Sequence, residues 1–149
     1  MRSVIQRVSR CSVRVANSMV GQIGSGLLIL VGVEKGDSQE DLRYTADKLL
    51  GLRVFNDSDG KMNLSIQDTG GEILVVSQFT LLGDARRGRR PSFINAADPA
   101  DGERLYRQMI EYLQQQGASV QSGQFQADMQ VELINDGPVT ILIDSRKTF

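Results

Sequence analysis

The spacing of apolar and polar residues predicts a chain that consists mainly of β-strands. Residues 3–15 combine partial alternation with many β-branched side chains, which indicates one or two strands. Residues 26–33, GLLILVGV, form an apolar run bounded by glycines, as in a strand buried on both faces. The segment EILVVSQFTLL, residues 72–82, is the most strand-like of all. Further strands are expected at 61–66, 126–134 and 139–144.

Two segments have the apolar spacing of amphipathic helices. The first begins after an N-cap at Ser38 and runs to about residue 53. The second begins at Asp98 or Asp101 and ends before Gly117. The order of strands, helix, strands, helix and strands predicts the α+β class. We expect a single domain over residues 1–149, with a mainly antiparallel, barrel-like sheet and two main helices.

The composition is that of a globular protein, with 40% hydrophobic and 23% charged residues and a net charge of −1. No apolar run approaches the roughly 20 residues that span a bilayer, so no membrane partner is expected. The N-terminus lacks the unbroken apolar region of a secretory signal. Cys11 is the only cysteine, which excludes an internal disulfide and favours a cytoplasmic location.

The sequence contains no histidine. This excludes Ser-His-Asp and Cys-His catalysis, and also histidine ligation of a metal. A hydrolase with this composition must use carboxylates, hydroxyls, backbone groups or chemistry supplied by its substrate. Residues 56–60, NDSDG, resemble a calcium loop, but the terminal glutamate is missing, so a turn is predicted.

Polar side chains are placed near the end of the strand predicted at 72–82. Alternation puts Ser77 and Phe79 on one face, and Gln78 and Thr80 on the other. Buried polar groups need partners. These side chains either bond to loops at the margin of the sheet or line the mouth of a pocket, and the residues alone leave both interpretations open.

One dense basic cluster follows this strand, and it consists of Arg86, Arg87, Arg89 and Arg90. Arginine suits phosphate because its planar fork donates two hydrogen bonds at once. A solvated surface loop is the ordinary interpretation of such a run. In a slightly acidic chain, however, this loop is the best candidate for contact with an RNA backbone.

The segment VELINDGPVTILID, residues 131–144, predicts two strands joined by a hairpin turn at NDGP. Asp-Gly alone would close such a turn. The added proline fixes φ, removes an amide donor and makes a cis peptide bond accessible. The Gly137–Pro138 pair could aim two carbonyl groups in a fixed direction, or it could form an ordinary loop.

Two motifs in this order, SQFTL at 77–81 and NDGPVT at 135–140, resemble those of the D-aminoacyl-tRNA deacylase (D-tyrosyl-tRNA deacylase) family. The likeness extends to IQRVSRCSV, GLLILVGVEKGD, KMNLS, RGRRPSF and ADMQVELINDGPVT, and so covers nearly the whole chain. It implies a homodimeric hydrolase that cuts the ester of D-aminoacyl-tRNA, with an active site at or near the subunit interface. It implies no cofactor and no metal.

The resemblance places Ser77, Gln78, Phe79 and Thr80 in the pocket for the terminal adenosine and the ester. A 2′-hydroxyl of the RNA would assist hydrolysis, and the protein would supply backbone donors such as the Phe79 amide. This picture agrees with the missing histidine, because the substrate then provides the reactive hydroxyl.

The same resemblance implies that Gly137 and Pro138 form a Gly-cisPro pair that enters the active site of the partner subunit. Their carbonyl groups would exclude the side chain of an L-amino acid and tolerate that of a D-amino acid. Arg7 would fix the orientation of the pair, with Asn135 and Thr140 in supporting positions.

Two alternatives remain open at this point. The chain could be a non-catalytic module that binds RNA ends, since it has no obvious catalytic base. It could also be a related deacylase for another mischarged amino acid, with a trans bond before Pro138.

Overall fold

The computed structural model describes all 149 residues, and its elements follow the α+β order predicted from the sequence. The strands are β1 (Arg2–Val15), β2 (Ser18–Ile23), β3 (Gly26–Gly32), β4 (Phe55–Asn56), β5 (Met62–Leu64), β6 (Glu72–Ser77), β7 (Ser119–Ser122) and β8 (Gln130–Asp144). The helices are α1 (Gln39–Gly51), α2 (Ile66–Thr69) and α3 (Pro99–Gln115), and Phe79–Leu82 forms a 3-10 turn. The fold class and the two main helices, α1 and α3, are confirmed.

Six strands form one mixed sheet in the order β2-β1-β3-β6-β7, and β8 pairs with β1. The pairs that involve β1 are antiparallel, whereas β3 with β6 and β6 with β7 are parallel. Contacts of β2 with β6 and β7 curl the sheet into a nearly closed, barrel-like layer. The parallel pairs arise because α1 and α3 each lie in a crossover connection between neighbouring strands.

The core lies on both faces of β3, as its continuous apolar run predicts. Leu27 and Ile29 belong to the larger apolar cluster, which the sheet forms with α1 and α3. Leu28 points the other way, into a smaller cluster with Val8 and Leu74. β3 therefore holds the two halves of the core together. No helix in the structure has both the length and the apolar character needed to cross a membrane.

The ends of the helices follow the capping chemistry of the sequence. Ser38 caps α1 through a capping box, in which its backbone N–H donates to the Asp41 carboxylate over 2.8 Å. α3 starts with Pro99 directly after Asp98, which fits the preference of proline for the first helical position. Gly117, just beyond α3, has a φ of 87°. Of the two N-caps considered for α3, the structure has Asp98, whose side chain makes no capping hydrogen bond.

The hairpin predicted at NDGP is wrong. β8 is one continuous strand, and it pairs antiparallel with β1 on both sides of this segment. Asn135 lies opposite Val8 and Thr140 opposite Gln6, so five steps along β8 match two steps along β1 and three extra residues loop out. We call residues 135–140 the bulge. The residues that predict a turn do interrupt the strand, but they form a bulge, and the hydrogen bonds of β8 to β1 resume directly after it.

Three other strand assignments also change, and the first is the strand predicted at 126–134, which begins only at Gln130. The strand predicted at 72–82 ends at Ser77, because the next residues wind into the 3-10 turn. The strand predicted at 61–66 stops at Leu64, where Ser65 caps the single-turn helix α2 through its own capping box with Asp68. β7 was not predicted, since SVQS is short and polar.

Candidate active site

A cavity of about 920 Å³ opens at the end of β6, where the predicted polar cluster lies. Ser77, Gln78, Phe79 and Thr80 line it, and we call these four residues the lip. The facing walls come from the first turns of α3, from Ala96 and Ala97, and from residues 125–129. Most of this lining is apolar, with a few polar groups gathered at the lip, which is the usual character of a site for a small organic group.

The lip takes its shape from the way β6 ends. The Gln78 N–H donates to the Val31 carbonyl over 2.7 Å, which is the last bond of that strand to β3. The backbone then turns, so the strand alternation predicted for Phe79 and Thr80 does not apply. Both side chains are exposed instead, and 56% of Phe79 is accessible.

The lip offers hydrogen-bond donors and has no base beside its hydroxyl. Phe79 and Thr80 open a 3-10 turn, where no carbonyl of the same turn can accept from their N–H groups. The Gln78 amide donates to the Thr80 hydroxyl over 3.0 Å, which leaves that hydroxyl free to donate elsewhere. Asp128 is the only ionisable residue in the cavity lining. This arrangement suits stabilisation of an oxyanion better than activation of Thr80 as a nucleophile.

The bulge is closed by its own side chains. The Val139 N–H donates to the Asn135 side-chain oxygen over 2.7 Å, and the Asn135 amide donates back to the Val139 carbonyl over 3.2 Å. The Thr140 hydroxyl accepts from Asn135 over 3.2 Å. The Gly137–Pro138 bond is cis, in contrast to the trans bond of the alternative deacylase, and Gly137 has a φ of 142°.

Arg7 fastens the bulge to the rest of the molecule. Its Nε donates to the Asp136 carbonyl over 2.8 Å, and one terminal nitrogen donates to the Val54 carbonyl over 2.5 Å. The same nitrogen lies 3.5 Å from the side-chain oxygen of Asn56. Arg7 is only 8% exposed, so these contacts are shielded from water. The structure thus brings Arg7, Asn135 and Thr140 together around Gly137.

The lip and the bulge lie in different parts of the same chain. None of residues 135–140 lines the cavity. Ser77 pairs with Val31 on β3, whereas Arg7, beside the bulge, pairs with Leu27, four residues along that strand. The strands lie side by side in the order β8, β1, β3 and β6. The bulge and the lip are therefore separated by three strand spacings across the sheet and four residues along it, which is roughly 20 Å.

The arginines form an exposed loop next to the lip. Asp84 and Ser92 close this loop through two backbone hydrogen bonds of 2.8 and 2.9 Å. Arg86 is paired with Asp84 over 2.6 Å, and its hydrogen bonds hold the pKa of that carboxyl well below its usual range. No ion pair involves the other three arginines, Arg87, Arg89 and Arg90.

Tyr106 and Cys11 are buried outside the lip, and burial raises the pKa of each. Burial raises the pKa of the Tyr106 phenol to about 12, and its hydroxyl donates to the Val75 carbonyl over 2.9 Å behind the cavity wall. Burial also raises the pKa of the Cys11 thiol to about 11. Both groups are neutral near pH 7 and serve the packing of the fold.

Comparison with known proteins decides the family. The model of the D-Tyr-tRNA(Tyr) deacylase family matches residues 4–144. The chain belongs to this family. Over the full length of both chains it is 56% identical to a D-aminoacyl-tRNA deacylase of Desulfitobacterium hafniense and 57% identical to one of Thermotoga petrophila. The deacylase is therefore an enzyme that hydrolyses carboxylic esters.

Solved structures share the fold. One, described as the c-Myc DNA Unwinding Element Binding Protein, is 39% identical with a TM-score of 0.92, and the match covers 97% of this chain and 98% of the other. Another, described as a probable eukaryotic D-amino acid tRNA deacylase, has a TM-score of 0.79 over 96% and 98% of the two chains. At 19% identity the second likeness shows the fold alone.

Sequence reasoning missed several residues that shape the two regions of the deacylase. Phe125, Ala127 and Met129 form a cavity wall, yet they lie in an irregular segment with no chemical signature. The hydrogen bonds of Arg7 are accepted by Val54 and Asn56, which are far from it in sequence. A backbone carbonyl leaves no signal in the side-chain pattern, so the anchoring of Arg7 could be seen only in three dimensions.

Proposed function

We propose that this deacylase cleaves the ester between a D-amino acid and the terminal adenosine of tRNA, and that it rejects L-amino acids by shape. The observation that carries the proposal is the anchored bulge, which presents backbone groups rigidly yet lies outside the cavity of its own chain. Such a segment is useful as a steric selector when it reaches a substrate bound elsewhere. The cavity lip provides the place for that substrate.

The proposed reaction is a hydrolysis without a protein nucleophile. Water attacks the carbonyl carbon of the ester, the bond to the ribose 3′-oxygen breaks, and that oxygen takes up a proton. The products are a free D-amino acid and tRNA with its terminal hydroxyl restored. The Phe79 N–H stabilises the oxyanion and the adjacent 2′-hydroxyl of the substrate assists the attack, which agrees with a lip that has donors and no base beside Thr80.

We infer a homodimer in which the bulge of each protomer completes the cavity of its partner. The separation of about 20 Å within one chain supports this, because the bulge cannot reach an ester bound at its own lip. Ile134 and Leu142, on either side of the bulge in β8, are 46% and 57% exposed. A partner subunit would cover these apolar side chains.

In this dimer the carbonyl groups of Gly137 and Pro138 face the α-amino group and the Cα atom of the substrate. A D-amino acid directs its side chain into open space, whereas an L-amino acid directs it against the two carbonyls. Arg7 and Asn135 prevent the bulge from yielding to that clash. Selection therefore comes from exclusion, and any D-side chain that fits the open space is accepted.

The arginine loop is the proposed contact with the tRNA backbone. Arg87, Arg89 and Arg90 are exposed beside the lip, where phosphates near the RNA terminus would pass.

With tRNA as its substrate and one buried thiol as its only cysteine, the enzyme is assigned to the cytoplasm.

The proposal is tested with D-tyrosyl-tRNA and L-tyrosyl-tRNA as matched substrates, by following the release of tyrosine. We expect rapid release from the D-ester and none above background from the L-ester. Equal cleavage of both, or cleavage of neither, contradicts the proposal. A D-tyrosyl-tRNA that ends in 2′-deoxyadenosine tests the chemistry separately, and we expect it to be a much slower substrate.

A further inference from the structure

Exposed apolar side chains lie between the cavity and the arginine loop. Phe93 is 37% exposed and Ile94 is 72% exposed. The Phe93 ring packs edge-on against the Phe79 ring of the lip, with 5.1 Å between ring centres and an interplanar angle of 71°. We call Phe93 and Ile94 the apolar rim. Folding leaves part of Phe93 and most of Ile94 in contact with solvent, although each side chain could stabilise a core by burial.

The rim is held in place from both sides. Before it, Ser92 is paired with Asp84 through two backbone hydrogen bonds. After it, the Asn95 carbonyl accepts from Lys35 N–H, and the Ala97 N–H donates to the Val33 carbonyl, each over 2.9 Å. The exposure of the rim is therefore a property of the fold and not of a frayed segment.

The chain order gives the rim two neighbours of different chemistry. On one side are Arg87, Arg89 and Arg90, which are exposed and not in ion pairs. On the other side are Ala96 and Ala97, which line the cavity. The rim is thus continuous with the candidate active site at one end and with the unpaired positive charge at the other.

We propose that the apolar rim binds the unpaired nucleotides that precede the terminal adenosine of the substrate RNA. This inference rests on the proposed function and extends its site beyond the last nucleotide. An unpaired base presents a flat apolar face, which stacks on aromatic and aliphatic side chains without regard to sequence. The phosphates of the same strand then lie toward the arginine loop, where charge complementarity favours RNA over a second copy of this chain.

The test compares a long and a short substrate in the same variants. D-Tyrosyl-tRNA carries the preceding nucleotides, whereas D-tyrosyl-adenosine lacks them. The variants are Ile94→Ser and Phe93→Leu, and Phe149→Ser is the control because Phe149 is 66% exposed at the C-terminus, outside the rim. We expect the loss in kcat/KM for each rim variant to be about tenfold greater on the tRNA substrate, mainly through KM.

Binding without turnover provides an independent measurement. The probes are the trinucleotide CpCpA and adenosine, and we expect Ile94→Ser to weaken the trinucleotide about tenfold more than adenosine. Equal losses on long and short ligands, or no loss on either, overturn the inference. A variant that changes only the dimer dissociation constant also overturns it, since a second copy would then cover the rim. If the unchanged enzyme binds CpCpA through the rim but cleaves no D-ester, the proposed function fails and this inference survives.

Discussion

The lip and the bulge differ in how firmly the fold holds them. Arg7, which is buried on β1, anchors the bulge by donating to backbone and side-chain oxygens. Within the bulge, Asn135 donates to the Val139 carbonyl and accepts from the Val139 N–H. The lip has one hydrogen bond between its own side chains, Gln78 to Thr80, and an exposed phenylalanine. The region proposed to exclude substrates is rigid, whereas the region proposed to bind them is accessible.

This difference follows from what each task requires. Exclusion works only if the excluding group cannot move, because a shift of a few tenths of an ångström would relieve the clash. Stabilisation of an oxyanion requires donors that point at the reacting atom and are not already satisfied within the protein. Internal bonds of the bulge engage the Asp136 carbonyl, the Val139 backbone and the Asn135 side chain and so hold the segment in place, whereas the Phe79 and Thr80 N–H groups of the lip remain available.

The largest effect is expected when the lip loses its backbone donor. Phe79→Pro removes the N–H while keeping a residue that suits the first position of a helical turn. We expect kcat for D-tyrosyl-tRNA to fall by about 100- to 1000-fold, the usual cost of an oxyanion donor. Phe79→Ala is the matched control, since it loses the ring and keeps the donor, and it should lose much less in kcat. Equal kcat values for the two variants would show that the amide is not needed.

The next effect concerns the shape of the bulge. A Cβ atom at Gly137 would lie 2.8 Å from Val139 Cγ2 and 3.0 Å from Val139 N, at a φ of 142° that favours glycine. We expect Gly137→Ala to deform the bulge and reduce the D-over-L ratio of kcat/KM at least about tenfold. Gly117→Ala, at a φ of 87° in open space, controls for backbone strain alone. A ratio that stays at the wild-type value in Gly137→Ala would remove the bulge from chiral selection.

The anchoring of the bulge can also be measured as a change in the free energy of unfolding. Arg7→Ala leaves the buried Val54 carbonyl without its partner, and we expect the free energy of unfolding to fall by about 2–4 kcal/mol. Arg10→Ala, on the same strand, breaks an exposed pair with Glu132 and should cost less than about 1 kcal/mol. Urea denaturation measures both values. If they agree, the anchoring assigned to Arg7 is absent.

The smallest effect is expected at the lip hydroxyl. Thr80 has no base beside it, since its partner is the Gln78 amide, so Thr80→Ala should reduce kcat by less than about tenfold. Single-turnover hydrolysis of D-tyrosyl-tRNA measures the chemical step itself, in which the loss should also stay below about tenfold. Complete loss of activity in a folded variant that still binds substrate would instead make Thr80 a nucleophile.

The lip shows how far sequence patterns can predict this site. The polar cluster at the end of β6 was visible because Ser77 and Gln78 interrupt an apolar run. The turn that follows was not, because FTLL is as apolar as the strand before it and alternation alone could not locate the end. The pattern located the polar cluster but left a sheet margin and a pocket both open, and the outward direction of Phe79 depended on where the strand stopped.

The bulge shows a different limit. NDGP has the residues of a hairpin, and local chemistry cannot separate a hairpin from a bulge that returns to the same neighbour. The choice depends on β1, which is long enough to pair with β8 on both sides of the interruption. The role of Arg7 came from resemblance. Its two shortest hydrogen bonds go to the backbone carbonyls of Asp136 and Val54, and a backbone carbonyl has no side-chain signature.

The central claim is that the bulge of one protomer completes the cavity of the other, and subunit mixing tests it most directly. Phe79→Pro and Gly137→Ala dimers, each defective alone, are dissociated, mixed in equal amounts and reassociated. If the bulge acts across the interface, half of the dimers are mixed and each has one fully intact site, so a quarter of all sites are intact and the D-over-L ratio of the mixture should rise to at least about twice that of Gly137→Ala alone. If the bulge serves its own chain, every site keeps one defect, and the D-over-L ratio of the mixture will stay at that of Gly137→Ala alone.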